Sequence, residues 1–141
     1  MKLRLHGTHV NTLELAQLEH DKSEDQRPVD GFRTNYWFPA EEPKAFYVIF
    51  EIEVFLGKST LLQLEYHAEF ACDEDIDYSF QTSPFVGVNA PAIAYPYMRA
   101  FITAFCALSG YDPVILPAVN FQALYNKRKL EEEGNDTGEN E

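Results

Sequence analysis

His6-x-x-His9, His67, Cys72 and Cys106 are the residues whose types would suit a metal or a nucleophile. Metal ligands must converge on one side of the chain. Two histidines three apart in a strand point to opposite faces, so His6 and His9 are not expected to join His67 or Cys72 around one ion. No role is assigned to the three histidines and no metal is expected. Cys72 and Cys106 are far apart and read as reduced and buried, not bridged. The acidic run "DEDID" (73–77) has the charge of a calcium loop without its glycine or closing glutamate, and reads as a solvated loop. Glu51/Glu53 and Glu65/Glu69 have the form of carboxylate dyads. On an open sheet face, however, they are more simply charges that stay in water and resist sheet stacking. No nucleophile elbow, phosphate loop or dinucleotide glycine pattern is present. No catalytic residue, cofactor or enzyme activity is therefore expected.

Charge narrows the partners. The 141 residues carry a net charge of −12, and six of the acids lie in 131–141, "EEEGNDTGENE". Phosphate-backbone binding needs a positive footprint, so nucleic acid is not expected. The basic cluster Lys127–Lys129 closes a helix and suits its macrodipole. The amino terminus, "MKLRLHGTHV", has no continuous apolar core of a leader, and no apolar run is long enough to span a bilayer. The expectation is a cytoplasmic protein without direct membrane insertion.

The elements follow from periodicity. Residues 2–18 alternate like a strand interrupted once, near Gly7; 19–31 is a polar connection. "FRTNYWF" (32–38), "AFYVIFEIEVFL" (45–56) and "TLLQLEYHAEFAC" (60–72) alternate at period two. Together they describe an antiparallel sheet with one apolar and one acidic, mixed face. "DEDIDYSFQTSP" reads as a loop. Helix follows over 91–110, then a crossing, "GYDPVILPAV", and a short helix over 120–133 with Asn120 as its N-cap. Strands before helices make the class α+β. The domain is expected to occupy 1–130, with 131–141 having the composition of a disordered tail.

"AYPYMRAFITAFCALSG" (94–110) is the informative helix, because Arg99 is its one charged residue. On a helical wheel, Tyr97, Met98, Phe101, Ile102, Phe105, Cys106 and Leu108 share one half. Arg99, Ala100, Thr103, Ala104 and Ala107 share the other, where a surface helix would place charge. Small residues allow close approach of another backbone, so this second face is expected to meet the short C-terminal helix, a bound chain or another copy of the chain; association is the preferred reading, because so short a helix shields only part of the face, with twofold pairing as the default. Pro96 suits a first helical turn near Ala94 or Tyr95; if helix extends back through "PAIA", it is a kink instead.

The same region resembles the SecB export-chaperone family. The resemblance is carried by Pro96-Tyr97-x-Arg99, "FIT", Gly110 and "PVILPAVNFQALY", which includes Pro113, Val119, Asn120, Phe121 and Leu124. It implies a four-stranded antiparallel sheet backed by one long and one short helix, with subunits paired into a tetramer, a dimer of dimers. It also implies ATP-independent holding of unfolded polypeptides in apolar grooves and hand-over to the export motor SecA. Candidate groove residues are Trp37, Phe38, Tyr95, Tyr97, Met98 and Phe101. The motor-docking surface of the family is an acidic sheet face. Here Thr12, Ala16 and Gln63 occupy places where carboxylates are expected, and Glu14, Glu65 and Glu69 are the nearby candidates. A SecB-like chaperone dedicated to one partner, such as an antitoxin, and a small ligand-binding domain reusing the fold are the alternatives.

Overall fold

The period-two patterns become the central strands of the computed structural model, which describes residues 1–19 and 28–139. Four strands form one antiparallel sheet: β1 (Leu3–Gln17), β2 (Val29–Trp37), β3 (Ala45–Leu56) and β4 (Thr60–Cys72), in the order β1-β4-β3-β2. The expected α+β architecture is present. Strict alternation along β3 and β4 buries Phe46, Val48, Phe50, Ile52, Val54 and Leu56 with Leu62, Leu64, Ala68 and Phe70. Each large apolar side chain taken from water this way stabilises the fold by about 1.5–3 kcal/mol. The tight β3–β4 turn holds Gly57 at φ 64°, where a side chain would be strained.

β1 carries the interruption expected near Gly7 and a second one that was not expected. Its register with β4 shifts twice, between Leu5 and Gly7 and between Val10 and Thr12, leaving His6 and Asn11 as extra residues. The first bulge overturns the simple alternation argument for His6 and His9. With His6 itself the extra residue of the bulge, both reach the outer face: His6 lies 3.9 Å from Glu69, and the His9 and His67 rings are 5.0 Å apart. Among the described residues no group of three or more His, Cys, Asp or Glu could hold a metal ion. Cys72 and Cys106 are both free and buried.

The segment read as a loop contains a single helical turn, α1 (Tyr78–Gln81), capped by the Asp77 carboxylate accepting from the Phe80 N–H at 2.8 Å. A π-helical turn over Phe85–Asn89 then runs straight into α2 (Ala90–Ser109). The helix thus starts at Ala90 and not near Ala94. Pro91 occupies its first turn, and Pro96 lies inside it on the exposed side. Gly110 ends α2 in the left-handed region at φ 86°, giving its N–H to the Cys106 carbonyl.

α3 (Phe121–Glu139) begins where expected, with the Ala123 N–H on Asn120 Oδ1 at 3.0 Å. It does not stop at Glu133, so the acidic segment continues the helix through Glu139 where a disordered tail was expected. Glutamates favour helix, and Glu131–Glu133 extend the turn begun by Lys127–Leu130. α2 buries Ala94, Tyr95, Met98, Ile102 and Cys106 in the core on the apolar side of the sheet. Phe121 closes the same layer at the start of α3, with its ring 5.7 Å from Tyr95 and 6.3 Å from Phe50.

Candidate binding surfaces

The six candidate groove residues do not converge. Met98 is fully buried and Tyr95 nearly so, its hydroxyl donating to the Pro117 carbonyl at 2.7 Å. Both are core residues in this subunit, and the groove assignment is corrected for them. A helical period shows which residues share an arc but not which part of the arc meets the sheet. Phe101 is half-buried with its ring 5.7 Å from Tyr66. Phe38 is also half-buried, stacked on Phe46 at 5.6 Å. Tyr97 is 52% exposed on α2 and Trp37 is 51% exposed. Trp37 lies on the opposite side of the sheet, opposite Tyr47 in register with the rings 4.9 Å apart.

A different aromatic feature reaches the surface. Phe70 stacks on Phe46 at 5.2 Å, Phe46 meets Phe80 edge-on at 6.1 Å, and Phe80 stacks on Phe85 at 6.1 Å. Phe38 covers Phe46 from the side. This ladder starts in the core and ends at Phe85, which is 49% exposed. Phe80 and Phe85 lie in the segment read as a loop and its continuation; their i, i+5 spacing runs from the end of α1 to the first residue of the π-turn and gave no helical period to detect.

The outer arc of α2 matches the small-residue face. Pro96, Arg99, Ala100, Thr103, Ala104 and Ala107 line an open shallow groove of about 520 Å³. Thr103 turns its hydroxyl back to the Arg99 carbonyl at 3.1 Å, and the Arg99 guanidinium sits 5.8 Å from the Tyr95 ring. The only polar groups on this arc are thus drawn down towards the helix. Tyr97 and Leu108, assigned to the sheet-covering half, are exposed instead; Leu108 is 88% exposed.

On the other side of the sheet a trough of about 600 Å³ crosses all four strands. Glu14, Glu51, Glu53 and Glu65 face it, with Arg33 as its one cation. Arg33 pairs with Glu51, Asn11 from the second β1 bulge donates to Glu65, and His67 Nε2 lies 3.0 Å from the same carboxylate. Two of the acidic candidates, Glu14 and Glu65, therefore share this trough. Glu69 stands outside it, accepting from the Tyr47 hydroxyl at 3.2 Å. Desolvation, and then the Glu69 and Glu42 carboxylates, push the Tyr47 phenol up to about 12.

A family model described as "Preprotein translocase subunit SecB" matches residues 46–132, well over half of the chain. The chain belongs to the SecB family. Two curated relatives carry the name protein-export protein SecB. The one from Methylibium petroleiphilum is 43% identical over 49 residues, covering 35% of this chain and 30% of its own. The one from Paraburkholderia xenovorans is 39% identical over 56 residues, covering 40% and 36%. The matches thus span about a third of the length of these SecB proteins. Among solved structures, a SecB-like chaperone of Mycobacterium tuberculosis in complex with an antitoxin peptide superposes with a TM-score of 0.63 at 14% identity, over 83% of this chain and 90% of that one. A protein of unknown function from Streptococcus agalactiae gives 0.55 at 10% identity, over 84% and 98%. At these identities the likeness is one of fold.

The SecB match takes in β3, β4, α1, α2 and most of α3, and so includes Glu65, Glu69 and the whole α2 groove. Trp37, Phe38 and Glu14 lie before it, on β1 and at the end of β2. The SecB segment also contains a contact that periodicity did not signal. The Tyr125 ring of α3 lies flat on Gly87 of the π-turn: a Cβ at Gly87 would fall 2.8 Å from Tyr125 Cε2 and closer still to Cδ2. The Tyr125 hydroxyl donates to the Thr82 carbonyl at 2.9 Å, and Lys129 Nζ sits 5.5 Å from the ring centroid. This seat fixes where α3 meets the π-turn that leads into α2.

Proposed function

We propose that this chain is a holding chaperone, binding unfolded polypeptides on apolar surface without nucleotide and working in the cytoplasm as a homo-oligomer. The observation that carries the reading is the aromatic ladder from Phe70 to Phe85, within a SecB-family fold. Its exposed end, Phe85, is held rigidly on a stack of buried rings and offers client side chains an apolar contact. The open α2 groove supports self-association. A second copy laid along Ala100, Thr103, Ala104 and Ala107 would cover a face that offers water almost nothing. The acidic trough with Glu14 and Glu65 supports docking of a basic partner, for which SecA is the candidate.

The test is suppression of aggregation of a chemically unfolded client, without nucleotide, alongside the native mass. Suppression at stoichiometric chaperone by an oligomer is expected. A strictly monomeric protein with no effect on aggregation refutes the proposal. Likeness of fold to a chaperone bound to an antitoxin peptide favours, as a second reading, service to one dedicated partner. Suppression confined to a single client would select it.

A further inference from the structure

The seat of Tyr125 on Gly87 borders a small pocket, about 120 Å³, between α3 and the segment that joins α1 to α2. That is room for about four water molecules, or for one tetrahedral ion. Two cations of α3, Arg128 and Lys129, line it in a chain whose net charge is −12. Neither makes an ion pair among the described residues. Each lies instead against an aromatic ring: Arg128 is 5.8 Å from the centroid of Tyr36, and Lys129 is 5.5 Å from that of Tyr125. A ring holds a cation in place without neutralising it. Burial pushes the Tyr36 phenol above its usual value against the pull of Arg128, so no phenolate cancels the guanidinium.

The uncharged groups of the lining divide into donors and acceptors. The half-buried Gln81 side chain makes no hydrogen bond among the described residues, which leaves its amide N–H groups to give. The Ser83 hydroxyl already donates to the Phe80 carbonyl at 2.6 Å and can only accept within the pocket. One carboxylate, Glu132, faces the same space and has no cation partner among the described residues. It repels a bare anion, but it accepts a hydrogen bond from an anion that carries its own proton.

We propose that this pocket binds inorganic phosphate, its oxygens held by Arg128, Lys129 and Gln81 and its O–H donated to Glu132. Free phosphate keeps at least one O–H at neutral pH. Sulfate has none, and a phosphomonoester, with its second pKa about 6, has mostly lost its own. The same carboxylate that weakens the site for anions in general therefore selects among them. The bound ion would tie α3 to the segment after α1, beside the tether from Tyr125 to the Thr82 carbonyl. The inference goes beyond the holding-chaperone reading and does not depend on it.

Calorimetric titration of the full chain with inorganic phosphate, at fixed ionic strength, is expected to show one site per chain with a Kd of about 1 mM. Sulfate and glycerol phosphate should each bind about ten-fold more weakly, the loss of one charge-assisted hydrogen bond. Lys129→Met should weaken phosphate about ten-fold, and Gln81→Leu, outside α3, should weaken it in the same direction. Glu132→Gln replaces an acceptor with a group that also donates, so sulfate should then bind as well as phosphate. Urea midpoints without phosphate show whether each variant is folded. Phosphate also stabilises folded proteins by exclusion from their surface. That contribution rises without saturating and survives all three substitutions, whereas occupancy of the pocket saturates and is lost with Lys129. Absence of saturable binding at about ten times the expected Kd overturns the proposal. So does phosphate binding indifferent to both Lys129→Met and Gln81→Leu. Equal binding of sulfate or glycerol phosphate by the unaltered chain overturns it too, since Glu132 would then select nothing.

Discussion

Replacing Gly87 with alanine places a methyl group inside the Tyr125 ring, 2.8 Å or less from two of its carbons. Neither side yields easily, because Gly87 sits in the π-turn that opens α2 and Tyr125 is tethered to the Thr82 carbonyl. Forcing extra volume into such a seat costs about 1–3 kcal/mol. If the ring leaves, the hydrogen bond to Thr82 goes with it, at about 0.5–1.5 kcal/mol. Alanine in helical backbone returns about 0.5–1 kcal/mol relative to glycine. The net effect expected for Gly87→Ala is destabilisation by about 1–3 kcal/mol. In a Tyr125→Ala background the space is open and only the backbone gain remains, so the same substitution should stabilise by about 0.5–1 kcal/mol. The sign change corresponds to a coupling of roughly 2 kcal/mol or more. Urea unfolding of the four proteins at one fixed concentration measures it, since the proposed self-association would make midpoints concentration-dependent. An equal cost of Gly87→Ala in both backgrounds would refute the seat.

Ala104→Glu puts a charge in the middle of the open α2 groove and should lower the native mass, read by light scattering, without unfolding the subunit. Met98→Ala should cost about 2–5 kcal/mol in urea, because the side chain is fully buried, while client binding per folded molecule stays unchanged. Tyr47 keeps its proton to about pH 12 in the folded chain, whereas an unfolded tyrosine ionises near 10. The folded state holds that proton more tightly, so its contribution is full below about pH 10 and is lost as pH rises through about 12. Tyr47→Phe should flatten the stability profile across that window and remove the latest-titrating phenol from the ultraviolet difference spectrum; an unchanged profile contradicts the assignment.

The sheet was readable in the chain because Phe46 to Leu56 and Leu62 to Cys72 obey a period of two without exception, and burial of one face demands that. The ends of helices were less readable. Pro96 looked like a first-turn proline, but Pro91 already fills that place and the helix absorbs the second proline on its exposed side, where no neighbour is displaced. Asp77 caps a helix of one turn, too short for any apolar period to show. Tyr95 and Met98 illustrate a limit of a different kind. Their types suit a client surface as well as a core, and only the tilt of α2 over the sheet decides between them. The outer small-residue arc was recoverable because it depends on what is missing, charge, and not on which direction the helix leans. Trp37 and Phe38 are adjacent, so alternation alone places them on opposite sides of the sheet; a single groove holding both conflicted with the strand that carries them.

Pro96 has a consequence for assembly that side chains do not reveal. Lacking an N–H, it has nothing to give the Ala92 carbonyl one turn back, and both residues lie on the exposed side of α2. A surface of methyl groups is slippery: copies pressed together on alanines alone could slide by a helical turn with little change in contact. One backbone oxygen without its usual donor breaks that degeneracy. In the proposed self-association it would mark a single point along the helix where a hydrogen-bond donor from the opposing surface is rewarded, and so would set the register of a pairing whose attraction comes from elsewhere.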